Sequence, residues 1–243
     1  MKKTILILLT FVAMTSTGLV LTSGGEHLEK ASINVDDKAS LQRGVKVFTD
    51  YCLSCHSAKY VRFNRVATDL GMTEEQVMGN LNHLGTKFGS TMTAVMTPEY
   101  AKQAFGAVPP DLSLVARSRG VDWLYSYLKG FYADPSKTTG HNNIVFKDVG
   151  MPNIFWKQEG VKKPLIEDHD GEKVIVGTEV VEQGTMTPEE FNAMINDLVA
   201  YMSYMGEPNQ SYRKSLGVYV LIFLVVLFGF AYAMKKDYWK GVH

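Results

Sequence analysis

The run Cys52-Leu53-Ser54-Cys55-His56 constrains this chain more than any other stretch. Two thiols at C-x-x-C spacing can add across the vinyl groups of one haem, and the histidine that follows falls where its ring reaches the iron. C-x-x-C-H therefore reads as covalent c-type haem attachment. The chain contains 2 cysteines in 243 residues. No third or fourth thiol completes a zinc site, and no βαβ pattern surrounds the motif to suggest a thioredoxin-like dithiol. A disulfide or redox pair is the competing reading, and the adjoining histidine separates the two.

The two ends of the chain set the compartment. Lys2 and Lys3 precede an uncharged stretch from Thr4 to Gly25 with an apolar block at Ile5 to Val12. This is the pattern of a bacterial secretory signal, bounded here at 1–23 with an approximate cleavage point. The stretch is also long enough to span a bilayer, so an uncleaved anchor is the alternative. Either way the domain that follows, 24–212, is exported to the periplasm. Near the other end, Leu216 to Met234 carries no charge and shows no polar face, which suits one membrane-spanning helix better than a buried soluble one. The anchor is placed at 213–236 and a cytoplasmic tail at 237–243. Lys235, Lys236 and Lys240 outnumber Arg213 and Lys214, the bias of a cytoplasmic C-terminus, and Tyr238 and Trp239 stand where interfacial aromatics belong.

The formal charge of zero conceals an asymmetry, because residues 24–212 hold 18 basic and 24 acidic side chains. A basic soluble partner would be steered towards such a surface, although ordinary solubility explains mild acidity equally well. An acidic domain speaks against nucleic acid as a partner.

The exported domain reads as mainly helical. Asp37 to Tyr51 has Leu41, Val45, Phe48 and Cys52 at three- and four-residue steps and runs straight into the haem motif. Gly44 interrupts it at some cost in propensity, which calls for a packing reason. Thr73 with Gln76 opens a short helix through a capping box, and Thr97-Pro98-Glu99 opens another that ends near Gly106. The glycine- and threonine-rich stretch between them is left without an assignment. Asp122 to Tyr132 has the spacing of a buried-face helix (Trp123, Tyr127, Leu128, Phe131), stopped by Asp134-Pro135. Leu165-Ile166 and Val174-Ile175-Val176 flank the turn signal Asp170-Gly171, so Pro164 to Val176 reads as a small inserted β-hairpin with His169 at its tip. Thr187, Pro188 and Glu190 open the clearest helix, whose face carries Phe191, Met194, Ile195, Leu198, Val199 and Met202 before Gly206 and Pro208 stop it.

An electron-transfer haem needs both axial positions filled, and a methionine thioether opposite histidine raises the potential because soft sulfur favours ferrous iron. Among 12 methionines, Met186 leads. It stands in Gly184-Thr185-Met186-Thr187, directly before a capped helix that fixes the backbone. Met151, in Gly150-Met151-Pro152, is its rival, and His83, His141 and His169 remain as bis-histidine partners.

These motifs together resemble the cytochrome c1 family, the haem-bearing subunits of ubiquinol:cytochrome c oxidoreductases, in its bacterial type, from about Gly25 to the C-terminus. The resemblance is carried by Tyr51 to Ser57, by Pro109-Pro110-Asp111-Leu112-Ser113 with Arg117 and Arg119 after it, by Gly150-Met151-Pro152, by Gly184-Thr185-Met186 and by the single C-terminal anchor. It implies a mainly α c-type cytochrome domain, with a small β-hairpin insertion and one transmembrane helix, holding one covalently bound haem c. Cys52 and Cys55 would form the thioethers, with His56 and Met186 as axial ligands. Pro110 would lie against the haem on the histidine side. Arg119, with Arg117 as second candidate, would face a propionate, and Trp123 would wall the pocket. Gly44 and Phe48 match the glycine and aromatic with which the first helix of small c-type cytochromes crosses the last.

The resemblance further implies a subunit that makes no bonds in a substrate. It would carry single electrons from a Rieske iron-sulfur protein to a soluble periplasmic cytochrome c, beside cytochrome b in a dimeric complex of the bacterial inner membrane. Two alternatives stand beside it: a haem subunit of another respiratory assembly, and a haem enzyme or sensor whose sixth position is open.

Overall fold

The computed structural model describes residues 28–169 and 172–241. The secretory signal expected at 1–23 lies outside the described residues, as does the Asp170-Gly171 turn.

The first helix, α1 (Lys38–Val47), starts where Asp37 accepts hydrogen bonds from the N–H groups of Ala39 (3.0 Å) and Ser40 (3.2 Å). A carboxylate at that position satisfies N–H groups that have no partner inside the helix. The helix then widens into a π-helical turn, Phe48–Cys52, closed by the Leu53 N–H bonding Phe48 C=O at 3.0 Å. Short β1 (Ala58–Arg62), α2 (Phe63–Leu70) and α3 (Glu74–Asn80) follow, and the Thr73/Gln76 capping box is present. The stretch left unassigned supplies β2 (Thr91–Met92), antiparallel to β1, and α4 (Pro98–Phe105) opens on the Thr97 cap. Next come α5 (Val115–Arg119) and α6 (Val121–Lys129).

Here one boundary differs from expectation. The helix foreseen from Asp122 to Tyr132 ends at Lys129, and Phe131–Ala133 forms β3, paired antiparallel with β4 (His141–Asn143). Gly130 is the stop, ahead of Asp134-Pro135, because the backbone beyond it finds its partners in the β3–β4 ladder. The hairpin also exceeds its forecast: a single-turn α7 (Trp156–Glu159) leads into β5 (Gly160–His169), which pairs with β6 (Glu172–Gln183) over its whole length.

The last helix of the domain, α8 (Pro188–Gly206), has both arms of the Thr187/Glu190 capping box and packs across α1. Phe48 meets Tyr201 with ring centroids 5.6 Å apart, and both side chains are wholly buried. At the rim of the crossing, Asp197 accepts from Ser40 Oγ (2.6 Å) and from Arg43 Nε (2.6 Å) and Nη2 (3.0 Å). Around this pair sit Leu53, Phe63, Leu70, Met92, Phe155, Ile195 and Leu198, each essentially without exposure.

Because Thr187 adjoins Met186, its cap fixes more than a helix end. Thr187→Ala is expected to cost about 1 kcal/mol. In a chain of this size that lowers the melting temperature by about 2–4 °C, readable by circular dichroism; an unchanged melt contradicts it.

Beyond α8, α9 (Gln210–Tyr238) continues past both ends of the anchor expected at 213–236. Its most apolar 18-residue window has a mean hydropathy of 2.5, and none of it is buried by the rest of the chain. At 1.5 Å per residue its 29 residues rise about 44 Å, more than the roughly 30 Å of hydrocarbon in a bilayer. Its uncharged part, 216–234, rises about 28 Å, which fits a transmembrane anchor with charged ends outside the hydrocarbon.

Candidate functional site

The π-helical turn delivers Cys52 to the core side of α1, where the residue is 6% exposed. The chain then doubles back, with the N–H groups of Cys55 (3.1 Å) and His56 (2.8 Å) both bonding Cys52 C=O. The two sulfurs and the imidazole are thus presented from one tight turn. Burial, with Cys55 adding to it, pushes the Cys52 thiol up to about 12. Among the described residues no three His, Cys, Asp or Glu side chains gather as a cage for a bare ion.

His56 is held through one ring nitrogen. Its Nδ1 lies 2.8 Å from Pro110 C=O, an acceptor, which makes Nδ1 the protonated nitrogen and leaves the Nε2 lone pair free for a metal. Burial holds the ring below the usual histidine pKa, against the opposing pull of the Pro110 carbonyl and of Asp111. The Pro109–Ser113 segment is stapled in turn to the strand after the motif. Leu112 N–H bonds Ser57 C=O (2.8 Å), Lys59 N–H bonds Asp111 Oδ2 (3.0 Å), and Tyr60 N–H bonds Ser113 Oγ (3.2 Å). A proline pair suits this place: having no N–H, it offers only the carbonyl that the imidazole needs.

Met186 is partly buried against the core that includes Cys52, and its loop is clasped by α7. The N–H of Thr185 bonds Lys157 C=O (2.8 Å) and that of Met186 bonds Gln158 C=O (3.1 Å). Gly184 makes the approach possible, since a Cβ there would lie 2.2 Å from Gln158 O and 2.5 Å from Gly160 N. Gly160 itself adopts φ +97°, a conformation that favours glycine. Gln158 is the residue that sequence reasoning missed. Its Nε2 donates to Tyr51 Oη at 2.7 Å, joining the Met186 clasp to the residue before Cys52. Only a contact remote in sequence reveals this, and no local motif announces it. Next to it Glu159 and Lys162 form a buried ion pair, with side chains 8% and 7% exposed, and Lys162 Nζ also donates to Lys129 C=O. Burial pushes the Glu159 carboxyl up and the Lys162 amine down, while each partner's charge pulls back.

Three of the other candidate ligands, Met151, His83 and His141, have hydrogen-bond partners of their own. Met151 Sδ accepts from Tyr127 Oη at 3.3 Å, a hydroxyl that burial pushes up to about 12 and so keeps protonated. His83 Nε2 meets Asp50 Oδ1 at 2.7 Å, and His141 Nδ1 meets Thr139 C=O at 2.9 Å. For His169 the structure describes only the backbone, paired with Glu172 at the hairpin tip.

The two arginines separate. Arg117 Nη1 lies 3.3 Å from Glu207 Oε2 at the end of α8. Arg119 has no carboxylate at ion-pairing distance among the described residues, and its guanidinium lies over the Trp123 ring, 5.2 Å from the centroid. Trp123 stacks in turn on Tyr127, with centroids 5.0 Å apart and planes 7° from parallel. A cavity of about 460 Å³ at the foot of the hairpin includes Met186, Lys162 and Phe191 but none of Cys52, Cys55, His56, Pro110, Arg119 or Trp123.

A C-x-x-C-H helix that crosses the closing helix of its domain at a glycine, with an apolar helix appended, is the architecture of a membrane-anchored c-type cytochrome. The chain belongs, within that class, to the cytochrome c1 family, whose model, described as "Cytochrome C1 family", matches residues 29–242. Members of this family are haem electron-transfer subunits of bc1 complexes, which also contain cytochrome b and a Rieske protein. Cytochrome c1 of Allochromatium vinosum is 46% identical over 241 residues, 98% of this chain and 99% of its own. A Nitrosomonas europaea protein named ammonia monooxygenase gamma subunit is 44% identical over 234 residues, 96% of this chain and 97% of its own. Cytochrome c1 of Rhodospirillum rubrum is 26% identical over 275 residues, 95% and 97% respectively.

Proposed function

We propose that this chain passes single electrons from a Rieske iron-sulfur protein to a soluble periplasmic cytochrome c, through one haem c attached at Cys52 and Cys55. The observation that carries the reading is the His56 ring, tied at Nδ1 to Pro110 C=O beside the two thiols. That donor set fits a c-type haem: two thiols for the vinyl groups, an imidazole with Nε2 free, a thioether on a clasped loop and a guanidinium with no carboxylate partner among the described residues. Bound there, the haem supplies one-electron redox chemistry.

The chain's residues do the rest. Pro110 holds the imidazole through its carbonyl, and His56 would bind the iron through its free Nε2. Met186 would supply a second ligand from its clasped loop, and an iron held by both residues would serve electron transfer rather than catalysis. Arg119, exposed above the Trp123 ring, would offset propionate charge, and Trp123 would wall the pocket beneath the guanidinium. Arg117 serves instead to tie α5 to the end of α8. The anchor 213–236 holds the exported domain 24–212 at the periplasmic face, leaves 237–243 in the cytoplasm, and limits the domain to partners that come to the membrane. The excess of acidic side chains steers a basic carrier to it. The assembly is a dimeric complex with cytochrome b in the bacterial inner membrane.

The full chain, run on a denaturing gel, is expected to stain for haem at its own mass and to lose the stain in Cys52→Ala/Cys55→Ala; a stain-free wild type ends the proposal. The name of the Nitrosomonas europaea relative favours a second reading, a haem subunit of another assembly. Copurification with a b-type cytochrome and a Rieske protein supports the first reading; copurification with an oxygenase in their place supports the second.

A further inference from the structure

We propose that Gln158 is a positioning residue for Met186, which it couples to the Cys52 turn through Tyr51. The proposal rests on Met186 being the sixth ligand, and three observations carry it.

First, Gln158 touches both sides of the site. Its carbonyl accepts from the Met186 N–H at 3.1 Å, and its amide Nε2 donates to Tyr51 Oη at 2.7 Å. Tyr51 is the residue before Cys52, so two segments more than a hundred residues apart in sequence meet through one side chain. Second, the turn that carries Gln158 is immobilised on its other flanks. Gly184 and Gly160 close against it without room for a Cβ, and the buried Glu159–Lys162 pair with Lys129 C=O fastens it to α6. Third, Gln158 Oε1 is buried with no hydrogen-bond partner among the described residues. An unpaired buried acceptor is unfavourable, and the amide's one bond here is the one to Tyr51. The amide is explained by its one directional bond.

Residues that orient a metal ligand typically change metal affinity or activity by about 10–100-fold when removed. Gln158→Leu keeps the bulk and removes the unpaired acceptor, and Tyr51→Phe removes one hydroxyl. The full haem-loaded chain in detergent is read three ways: the weak red-edge absorption of thioether-ligated ferric haem, carbon monoxide binding to the reduced protein, and hydrogen exchange of the Met186 amide. Each single variant is expected to shift the equilibrium towards detached Met186 by roughly 10–100-fold, with the double variant adding little, while the melting temperature holds. A Gln158→Leu protein with unchanged absorption, carbon monoxide binding and exchange overturns the proposal, and so does one that only melts earlier. If Gln158→Leu yields no haem protein, Tyr51→Phe decides by the same readouts. Met186→Leu is the control for the reading beneath: if it keeps the red-edge band, the ligand assignment itself is wrong.

Discussion

Gly44→Val is expected to unfold the haem domain or to separate its two principal helices. A Cβ at this position would stand 2.0 Å from Asp197 O, 2.7 Å from Asp197 C and 2.8 Å from Tyr201 Cβ. Backbone atoms and a Cβ cannot swing aside as the far end of a flexible side chain can. The helices must move apart, which undoes the Phe48–Tyr201 contact and the Asp197 ties to Ser40 and Arg43. Overpacking a core costs about 1–3 kcal/mol and sometimes more. At a backbone crossing the upper end applies, and valine returns little of it through helix propensity. Against a total stability of roughly 5–15 kcal/mol, a loss of about 3 kcal/mol or more leaves little margin. Thermal melts and haem content measure it; a Gly44→Val chain that melts like the wild type refutes the close crossing of α1 and α8.

Met186→Leu is expected to leave the fold standing and to change the redox centre. Leucine matches methionine in volume, so a core of this kind loses less than about 1.5 kcal/mol. What disappears is the soft sulfur donor. The reduction potential should fall by ~0.1 V or more, within the roughly 0.8 V that axial ligands command. The red-edge absorption should vanish and the reduced protein should take up carbon monoxide. A redox titration decides; an unchanged potential returns the question to Met151, whose sulfur would then have to leave the Tyr127 hydroxyl.

Much of the fold was legible in local chemistry. The Thr73, Thr97 and Thr187 caps are read from side chains that bond backbone within three residues of themselves, and all three appear. The hairpin declared itself through two apolar runs about a turn signal, although its length did not, because the outer pairs of Lys162 with Val180 and Lys163 with Glu179 carry no alternation to extend the pattern. The end of α6 was misread because Tyr127, Leu128 and Phe131 keep helical spacing past Gly130, while the strand that captures Phe131 arrives from residues 141–143. Of the candidate site, the two thiols and His56 were evident from spacing. The different neighbours of the two arginines were not, since only the fold brings Glu207 to Arg117 and lays Arg119 over Trp123.

Local sequence alone carried the C-x-x-C-H motif, the capped helices and the apolar C-terminal helix, because each depends on residues a few positions apart whose geometry the backbone enforces. Only the tertiary structure decided which nitrogen of His56 is free, how closely α1 and α8 cross at Gly44, and that Gln158 ties Met186 to Tyr51. Those depend on directional bonds and contact distances between remote segments, which exist only once the chain has closed on itself.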